Sequence, residues 1–471
     1  MDDHPKKSGA EPISPYYSFQ LSEDYLSQAE IDSLKQRCDA VADDALLELQ
    51  ELSKNRASGT RLDLYSTLEQ HHDAHPSLRR LWNEVYHVPD WVDWAQLERG
   101  QKTFWRYGFA NLIGFALQGF MGGNAATPGI AEVLVRTGGF SANVVLRRAL
   151  ETFQGLLQVT RCLQDLKPTG AGHTSLIRIR LLHAMVRARI LNLRETDQSY
   201  FDVDQYGLPI NTCDDVHTIA LFACNPMWIE LPAMGLEPRS DEIVDYIALF
   251  RYIAYVLGVP NEYFATAAEA RRVMEAMCVH ECVPNETSRV LCHNFIVALK
   301  DVPPVNLSAG FIAAASRKIN GPTLSDALGA GIPTAMDAVT FRGFCWLARS
   351  LVFLQRLSPT FDDLMINLQR EVLYAYIVEG NSSKFCLGGA SKFDMKYVPR
   401  LGKRTGKGHP HGARSGSGFL FRPLEFLFLT TFVLGCCLGP ALLVFSWKIW
   451  SVISTPPQQP NDLTSSSRGL V

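Results

Sequence analysis

The chain has 471 residues, of which 47% are hydrophobic and 10% aromatic, so it can bury a large core. Its formal net charge is −3, which excludes a strong overall attraction to nucleic acid, and we expect no nucleic-acid partner. The eleven cysteines are scattered and odd in number, unlike the dense framework of a small secreted disulfide protein. We therefore expect reduced thiols and a cytosolic body.

Helical periodicity dominates the long central part of the chain. Residues 1–27 are polar and lack the apolar stretch of a signal peptide, so we interpret them as an extension. Between 28 and 398, apolar residues recur with the period of helices, and alternating β-branched runs are scarce. The pattern predicts an all-α fold, a single large helical domain. Helices are expected at 28–56, 79–86, 91–107, 109–121, 129–136, 141–163, 175–192, 214–234, 241–257, 262–280, 286–299, 307–318, 324–330, 340–355 and 360–376.

Two apolar stretches bear on membrane association. Residues 109–121 are apolar but too short to span a bilayer and are interrupted by glycines, so we expect a buried core helix there. Residues 426–447 read FLFLTTFVLGCCLGPALLVFSW and carry no charge. This length matches the roughly 20 residues that cross about 30 Å of hydrocarbon. We therefore predict a C-terminal transmembrane helix at 426–447.

The flanks of this segment predict its orientation. Residues 399–425 read as a basic, flexible linker suited to anionic lipid headgroups, and residues 448–471 form a short polar tail. Lys448 and Arg468 are the only basic residues downstream. Because positive charge stays on the cytosolic side, we expect a cytosolic body and an anchor in the endoplasmic reticulum membrane. The upstream basic residues are Lys396, Arg400, Lys403, Arg404, Lys407, Arg414 and Arg422.

The strongest candidate for chemistry lies in the predicted helix at 175–192. Arg180, His183 and Arg187 stand at i, i+3 and i+7 and share one helical face within apolar surroundings. Two guanidinium groups beside an imidazole disfavour its protonation, which leaves a nitrogen lone pair for an iron ligand. The arginines are suited to haem propionates. A hydrogen-bonded core histidine is the alternative.

A second polar face occurs on the preceding helix. Arg148, Glu151 and Thr152 stand at i, i+3 and i+4, and Glu132 lies on the helix before that. Charged groups on consecutive apolar helices are costly to bury, which favours a functional pocket. Ion pairing of Glu132 or Glu151 with Arg148 is the structural alternative. No GxGxxG, Walker, GxSxG or HExxH motif occurs.

These motifs resemble a known family. The spacing Arg180-x-x-His183-x-x-x-Arg187, the motif Arg148-x-x-Glu151-Thr152 and the upstream Glu132 are similar to those of the family that unites bacterial rubber oxygenases (latex-clearing proteins) with the fungal ER-bound oxygenase of mycophenolic acid biosynthesis. Supporting runs occur at 88–108 and 249–260, so the resemblance covers roughly residues 80–300.

The resemblance implies roles for these residues. His183 would be the axial ligand of a haem b, with Arg180 and Arg187 as cofactor-binding residues. Arg148 and Thr152 would lie beside the haem, and Glu132 would assist proton abstraction from an allylic carbon. Rubber oxygenases carry a lysine at the position of Glu151, so distal coordination of the iron would differ here.

The function expected from the resemblance is a membrane-anchored, haem-dependent oxygenase. It would use O2 as co-substrate to cleave or oxidise a lipophilic, prenyl-like small molecule, with membrane lipids as further partners. Two alternatives stay open at this point. One is a haem-free enzyme of the same fold that uses the polar cluster for acid–base chemistry, and the other is a non-catalytic, membrane-tethered scaffold.

Overall fold

Helices form all of the regular secondary structure in the parts of the chain that the computed structural model describes, residues 14–17, 26–54, 63–142, 144–302, 305–379 and 422–437. This confirms the all-α, single-domain prediction. Three π-helical segments, Phe115–Gly123, Pro226–Glu230 and Ala375–Glu379, interrupt or extend the α-helices, and short 3-10 turns join several of them.

The α-helices follow one another along the chain as α1 (Gln28–Lys35), α2 (Ala40–Lys54), α3 (Leu64–His71), α4 (Pro76–Tyr86), α5 (Trp94–Arg106), α6 (Gly108–Gly114), α7 (Pro128–Arg136), α8 (Val145–Thr160), α9 (Leu163–Leu166), α10 (Ala171–Thr196), α11 (Val203–Tyr206), α12 (Thr212–Ala223), α13 (Leu231–Ala233), α14 (Ser240–Val256), α15 (Ala267–His280), α16 (Glu286–Leu299), α17 (Ala309–Ile319), α18 (Gly321–Ala327), α19 (Ala335–Leu357), α20 (Pro359–Tyr374) and α21 (423–437).

The predicted helix at 28–56 is wrong in one respect, because the chain breaks it into α1 and α2. Ser27 and Glu30 form a capping box at the start of α1. Asp39 lies before α2 and accepts a hydrogen bond from the Ala42 amide at 3.2 Å. A carboxylate that caps a new helix start stops the first helix from continuing. The break also frees Asp39 to reach a distant helix.

The apolar run at 109–121 lies largely in the core, as predicted, and glycines stand where its helical segments end. The chain passes from α6 into the π-helix Phe115–Gly123. A side chain at Gly114 would overlap the carboxyl of Glu230, and one at Gly123 would overlap Leu221. The glycines therefore allow close packing of this segment against the second π-helix and α12.

The helices α8 and α10 pack in an antiparallel arrangement at the centre of the body. Gly172 lies against the backbone of Gln158 and Val159, and a Cβ at Gly155 would stand 3.2 Å from Ile179. Because both helices rise by about 1.5 Å per residue, extending this register places His183 of α10 at the height of residues 147–151 of α8. The fold thus places the two predicted polar faces at the same height.

The last described helix, α21, lies against α17 and α19. The Phe428 ring is 5.7 Å from Phe311 and 5.3 Å from Phe344, measured between centroids. The buried Glu425 carboxylate accepts a hydrogen bond from the Ser308 amide, and Arg422 pairs with Asp301 at 3.0 Å. These contacts hold α21 on the surface of the body.

None of the described helices combines the length and apolarity that a bilayer crossing requires. The predicted span at 426–447 is described only as far as residue 437. Its remainder, most of the predicted linker 399–425 and the tail 448–471 lie outside the described residues.

The buried acid Glu230 gives a test of this core. Its carboxyl is fully buried, neither oxygen has a hydrogen-bond partner within the described parts of the chain, and burial raises its pKa well above the usual range. The folded protein therefore keeps a proton on Glu230 at pH values at which the unfolded chain, with an ordinary glutamate pKa, has released it. The free energy of unfolding is therefore highest at acidic pH, and it falls as the pH rises above the ordinary pKa of a glutamate.

We expect Glu230→Gln, which cannot ionise, to gain stability relative to the wild type between about pH 5 and about pH 8, by up to roughly 1.4 kcal/mol per pH unit. Urea unfolding followed by circular dichroism measures the difference. Glu237→Gln, at an exposed position, is the control. If the difference in unfolding free energy between the two proteins stays the same across this pH range, the buried, neutral state of Glu230 is contradicted.

Candidate functional site

The three residues predicted to share a face of α10 differ sharply in burial. The side chains of Arg180 and Arg187 are each 2% exposed, whereas that of His183 is 38% exposed. The arginines are therefore core residues, and the histidine between them is open to solvent or to a bound group. This exposure argues against a buried core histidine.

Arg180 is held by carboxylates of the N-terminal helices. Its guanidinium donates to Asp39 at 2.6 and 3.0 Å, to Glu84 at 2.7 Å and to the Val256 carbonyl at 3.4 Å. Burial lowers its pKa, but the hydrogen bonds and charges of the two acids outweigh this, and the net pKa is raised. Gly258 has a φ of +76°, and a side chain there would overlap the guanidinium.

Arg187 is held in the same manner two turns later. It donates to the Asp43 carboxylate at 2.9 to 3.1 Å and to the carbonyl of Ile210. Each guanidinium nitrogen of Arg180 and of Arg187 thus already has a protein acceptor. The arrangement favours a role in holding α10 against the N-terminal helices, instead of the propionate contacts expected from the sequence.

His183 has one partnered and one open ring nitrogen. Its Nδ1 lies 3.5 Å from Oδ1 of Asp215, in the first turn of α12, and Nε2 makes no hydrogen bond to any described residue. A carboxylate on the Nδ1 side favours a proton on Nδ1 and leaves the Nε2 lone pair for a ligand. The geometry therefore suits axial ligation through Nε2.

The polar face of α8 is tied together by ion pairs. Glu151 lies 3.3 Å from Arg147 and 3.1 Å from Arg148, and its side chain is largely buried. The exposed Thr152 donates its hydroxyl to the Arg148 carbonyl at 3.3 Å. Pairing of Glu151 with Arg148 was one of the two alternatives open from the sequence, and the structure contains it.

Glu132 has different partners from those anticipated. It pairs with Arg136 at 3.2 Å, one turn along α7, and accepts a hydrogen bond from the Thr287 hydroxyl at 2.9 Å. Its neighbour Val133 belongs to the same apolar cluster as Val186 of α10. Apolar packing thus links α7 to α10 beside Glu132, and α7 and α8 both contact α16.

Two residues of this region were missed by sequence reasoning, Asp215 and Arg136. Asp215 resembles an ordinary acidic residue at a helix start, and its proximity to His183 arises only from the tertiary structure. Arg136 lies over the Tyr200 ring at 5.5 Å, and its Nε and Nη1 atoms are buried without a hydrogen-bond partner in the described structure. Buried donors of this kind call for a polar partner, such as a water molecule or an anionic group.

Within the described residues, neither a metal-binding cluster nor either of two pockets adds a second centre to this region. The described residues contain no group of three or more His, Cys, Asp or Glu side chains arranged to hold a metal ion. One pocket is lined by Trp91, Leu97 and Arg251, and another by Leu47 and His75. None of the predicted site residues lines either pocket.

The ion pairs of α10 give a direct test of its anchoring. We expect Asp39→Ala to lower the free energy of unfolding by about 3 kcal/mol, because it removes one partner of a buried guanidinium. Asp44→Ala is the matched control, since the Asp44 carboxylate is 54% exposed and 3.9 Å from Arg80, and we expect a change below about 0.5 kcal/mol. Equal effects of the two variants in denaturant titrations would overturn the anchoring role.

Comparisons with known proteins identify the family and support the fold. A sequence model described as "ER-bound oxygenase mpaB/B'/Rubber oxygenase, catalytic domain" matches residues 105–350, more than half of the chain. A solved structure of Latex Clearing Protein LCP in the closed state superposes with a TM-score of 0.55 at 18% identity, covering 77% of this chain and 94% of that one. No curated protein sequence matches significantly. The chain belongs to the family of ER-bound oxygenases and rubber oxygenases, and it is an oxygenase enzyme.

Proposed function

We propose that this oxygenase is membrane-anchored and haem b-dependent, and that it uses O2 to cleave or oxidise a carbon–carbon double bond in a lipophilic, prenyl-like substrate. The observation that carries the proposal is His183, a half-exposed imidazole with its Nδ1 facing Asp215 and its Nε2 open. It lies between two buried, fully partnered arginines that fix the helix on which it stands.

The residues of the region fit a haem. A neutral imidazole with one nitrogen oriented by a carboxylate is the usual form of an axial histidine. The buried, unpartnered donors of Arg136 suit a propionate better than the occupied guanidinium groups of Arg180 and Arg187 do. When bound, the haem would supply the binding and activation of O2, and the protein would supply position and electrostatics.

Glu132 is the residue that we propose as the general base toward an allylic carbon of the substrate. Thr287 and Arg136 hold its carboxylate in place from two sides. A base must be fixed within reach of the proton that it removes, and these two contacts restrict its rotation. Arg136 would thus position both Glu132 and the cofactor.

The face of α8 would form the opposite wall. We propose that Glu151 holds Arg148 and does not replace the lysine of rubber oxygenases as an iron ligand, because its two oxygens are already paired with Arg147 and Arg148. Arg148 and the exposed Thr152 would then line the side on which substrate and O2 meet. This arrangement would differ from that of rubber oxygenases, which carry a lysine amine at the position of Glu151.

The substrate class follows from the family. Its description includes rubber oxygenases, and the structural relative is a latex-clearing protein, so an isoprenoid chain is the closest chemical guide. Such a substrate partitions into lipid. The predicted span at 426–447 would bring the enzyme to the membrane in which the substrate accumulates.

Visible spectroscopy of the intact, detergent-purified protein tests the haem assignment. We expect a Soret band that His183→Ala abolishes or shifts, with little loss of stability because His183 is part-exposed. Asp215→Asn should keep the band but raise the reduction potential of the iron, since the carboxylate strengthens the imidazole as a donor. A folded, iron-free and colourless protein would contradict the haem and favour a haem-free oxygenase.

Glycosylation mapping in microsomes tests the anchor and its orientation. We expect an Asn-Gly-Ser acceptor added after Val471 to be modified, because the tail would lie in the lumen. The sequons that begin at Asn285, Asn306 and Asn381 should stay unmodified, because the body would be cytosolic. Modification of a body sequon, or extraction of the chain by alkaline carbonate, would contradict this topology.

A further inference from the structure

The exposed apolar side chains of the body are concentrated on one group of helices. Among the described residues, most of the large hydrophobic side chains that are exposed lie on or beside α19, α20 and α21. Monomeric soluble proteins rarely expose large contiguous apolar patches, so this concentration indicates contact with another phase or partner.

The clearest part is a stripe along α20. Leu364, Leu368, Val372 and Tyr376 follow one another at intervals of four residues, from α20 into the π-helical turn that extends it, and are between 36% and 61% exposed. Ile366 and Leu373 face the core on the other side. The helix is therefore apolar on both sides, whereas an ordinary surface helix has one apolar face.

Two more exposed apolar residues lie at the end of α19. Phe353 and Leu357 are one turn apart, are both more than half exposed, and are separated from α20 only by the turn at Ser358. The hairpin of α19 and α20 is firmly attached to the body, because Arg106 joins Asp362 of α20 to Glu242 of α14. The exposed residues thus sit on a rigid support.

The third part is α21, which packs very closely on α19. A side chain at Gly343 would overlap the Phe428 carbonyl, and one at Gly435 would overlap the Trp346 indole. Small residues at a helix contact are typical of helices that associate in lipid. The outer side of α21 stays open, with Val433 and Leu434 about half exposed.

This packing constrains any membrane crossing by residues 426–447. The ten residues after 437 would extend about 15 Å as a helix, half of the roughly 30 Å of hydrocarbon. While α21 is held on α19, the span is long enough only if the surface around α21 is itself within the membrane.

We propose that the exposed sides of α19, α20 and α21, which we call the membrane face, insert into the interfacial layer of the bilayer and hold the body against it. The proposal rests on the membrane anchor of the proposed function and extends it to a second contact. Lipid is the occupant because α21, which packs on α19 next in the chain to α20, is the start of the predicted apolar span. Amphipathic surfaces of this kind enter the headgroup and acyl boundary to about 5–10 Å.

The charges around the membrane face are compatible with this depth. Arg342 and Arg349 are exposed along α19, where they can reach phosphate groups. Asp363, Glu371 and Glu379 lie on the line of α20 next to the stripe. They would stay on the aqueous side, which limits how deeply α20 enters.

Photocrosslinking of the full-length protein tests the proposal. The photoreactive residue p-benzoylphenylalanine replaces Leu368 in one variant and Leu47 of α2, which is similarly exposed, in the control. Each protein is reconstituted into vesicles of phosphatidylcholine and phosphatidylserine, irradiated and analysed by mass spectrometry. We expect lipid adducts at position 368 to exceed those at position 47 by about tenfold.

Three results would overturn the membrane face. Equal lipid labelling at the two positions would show no preferred contact, a crosslink between two chains would identify a self-association surface, and an internal crosslink to residues 380–421 would identify a cover from the chain itself. An alkaline wash of the vesicles reports separately on the anchor. If the protein stays on the vesicles after the wash but carries no lipid adducts at position 368, only the membrane face is contradicted. If the protein washes off although it carried adducts at position 368, only the anchor is contradicted.

Discussion

The burial of two arginines in α10 is the constraint on which the site depends. A guanidinium inside a helical core is tolerated only where carboxylates meet its hydrogen-bonding geometry, and here Asp39, Glu84 and Asp43 do so. Because Arg180 and Arg187 are two turns apart, their pairing fixes both the rotation and the height of α10. His183, between them, is thereby directed away from the core toward Asp215.

The same rule, that a buried charge needs a fixed partner, organises the rest of the region. Glu151 is held by arginines of its own helix, and Glu132 by Arg136 and Thr287 from two different helices. The exceptions are informative because the proposed function assigns a ligand to them. In this region, the open donors of Arg136 and the open Nε2 of His183 are such exceptions.

Sequence patterns predicted the features that depend on a single helix, but they did not predict the contacts between helices. The limits of α16 at 286–299 and the shared face of Arg180, His183 and Arg187 follow from local periodicity. The break at Asp39 was not visible, because its cause is a capping carboxylate that also pairs across the fold. Glu230 appeared as one acid of a predicted helix, and its burial against Gly114 depends on a second π-helix whose course no periodicity reveals.

The acids that hold α10 have a consequence for where this domain begins. The family match starts at residue 105, yet Asp39, Asp43 and Glu84 all precede it. A fragment limited to residues 105–350 would keep Arg180 and Arg187, but it would lose the three carboxylates that form ion pairs with them. The region that the family model matches is thus smaller than the set of helices that these ion pairs join, because α2, α4 and Asp39 before α2 supply the carboxylates that hold α10.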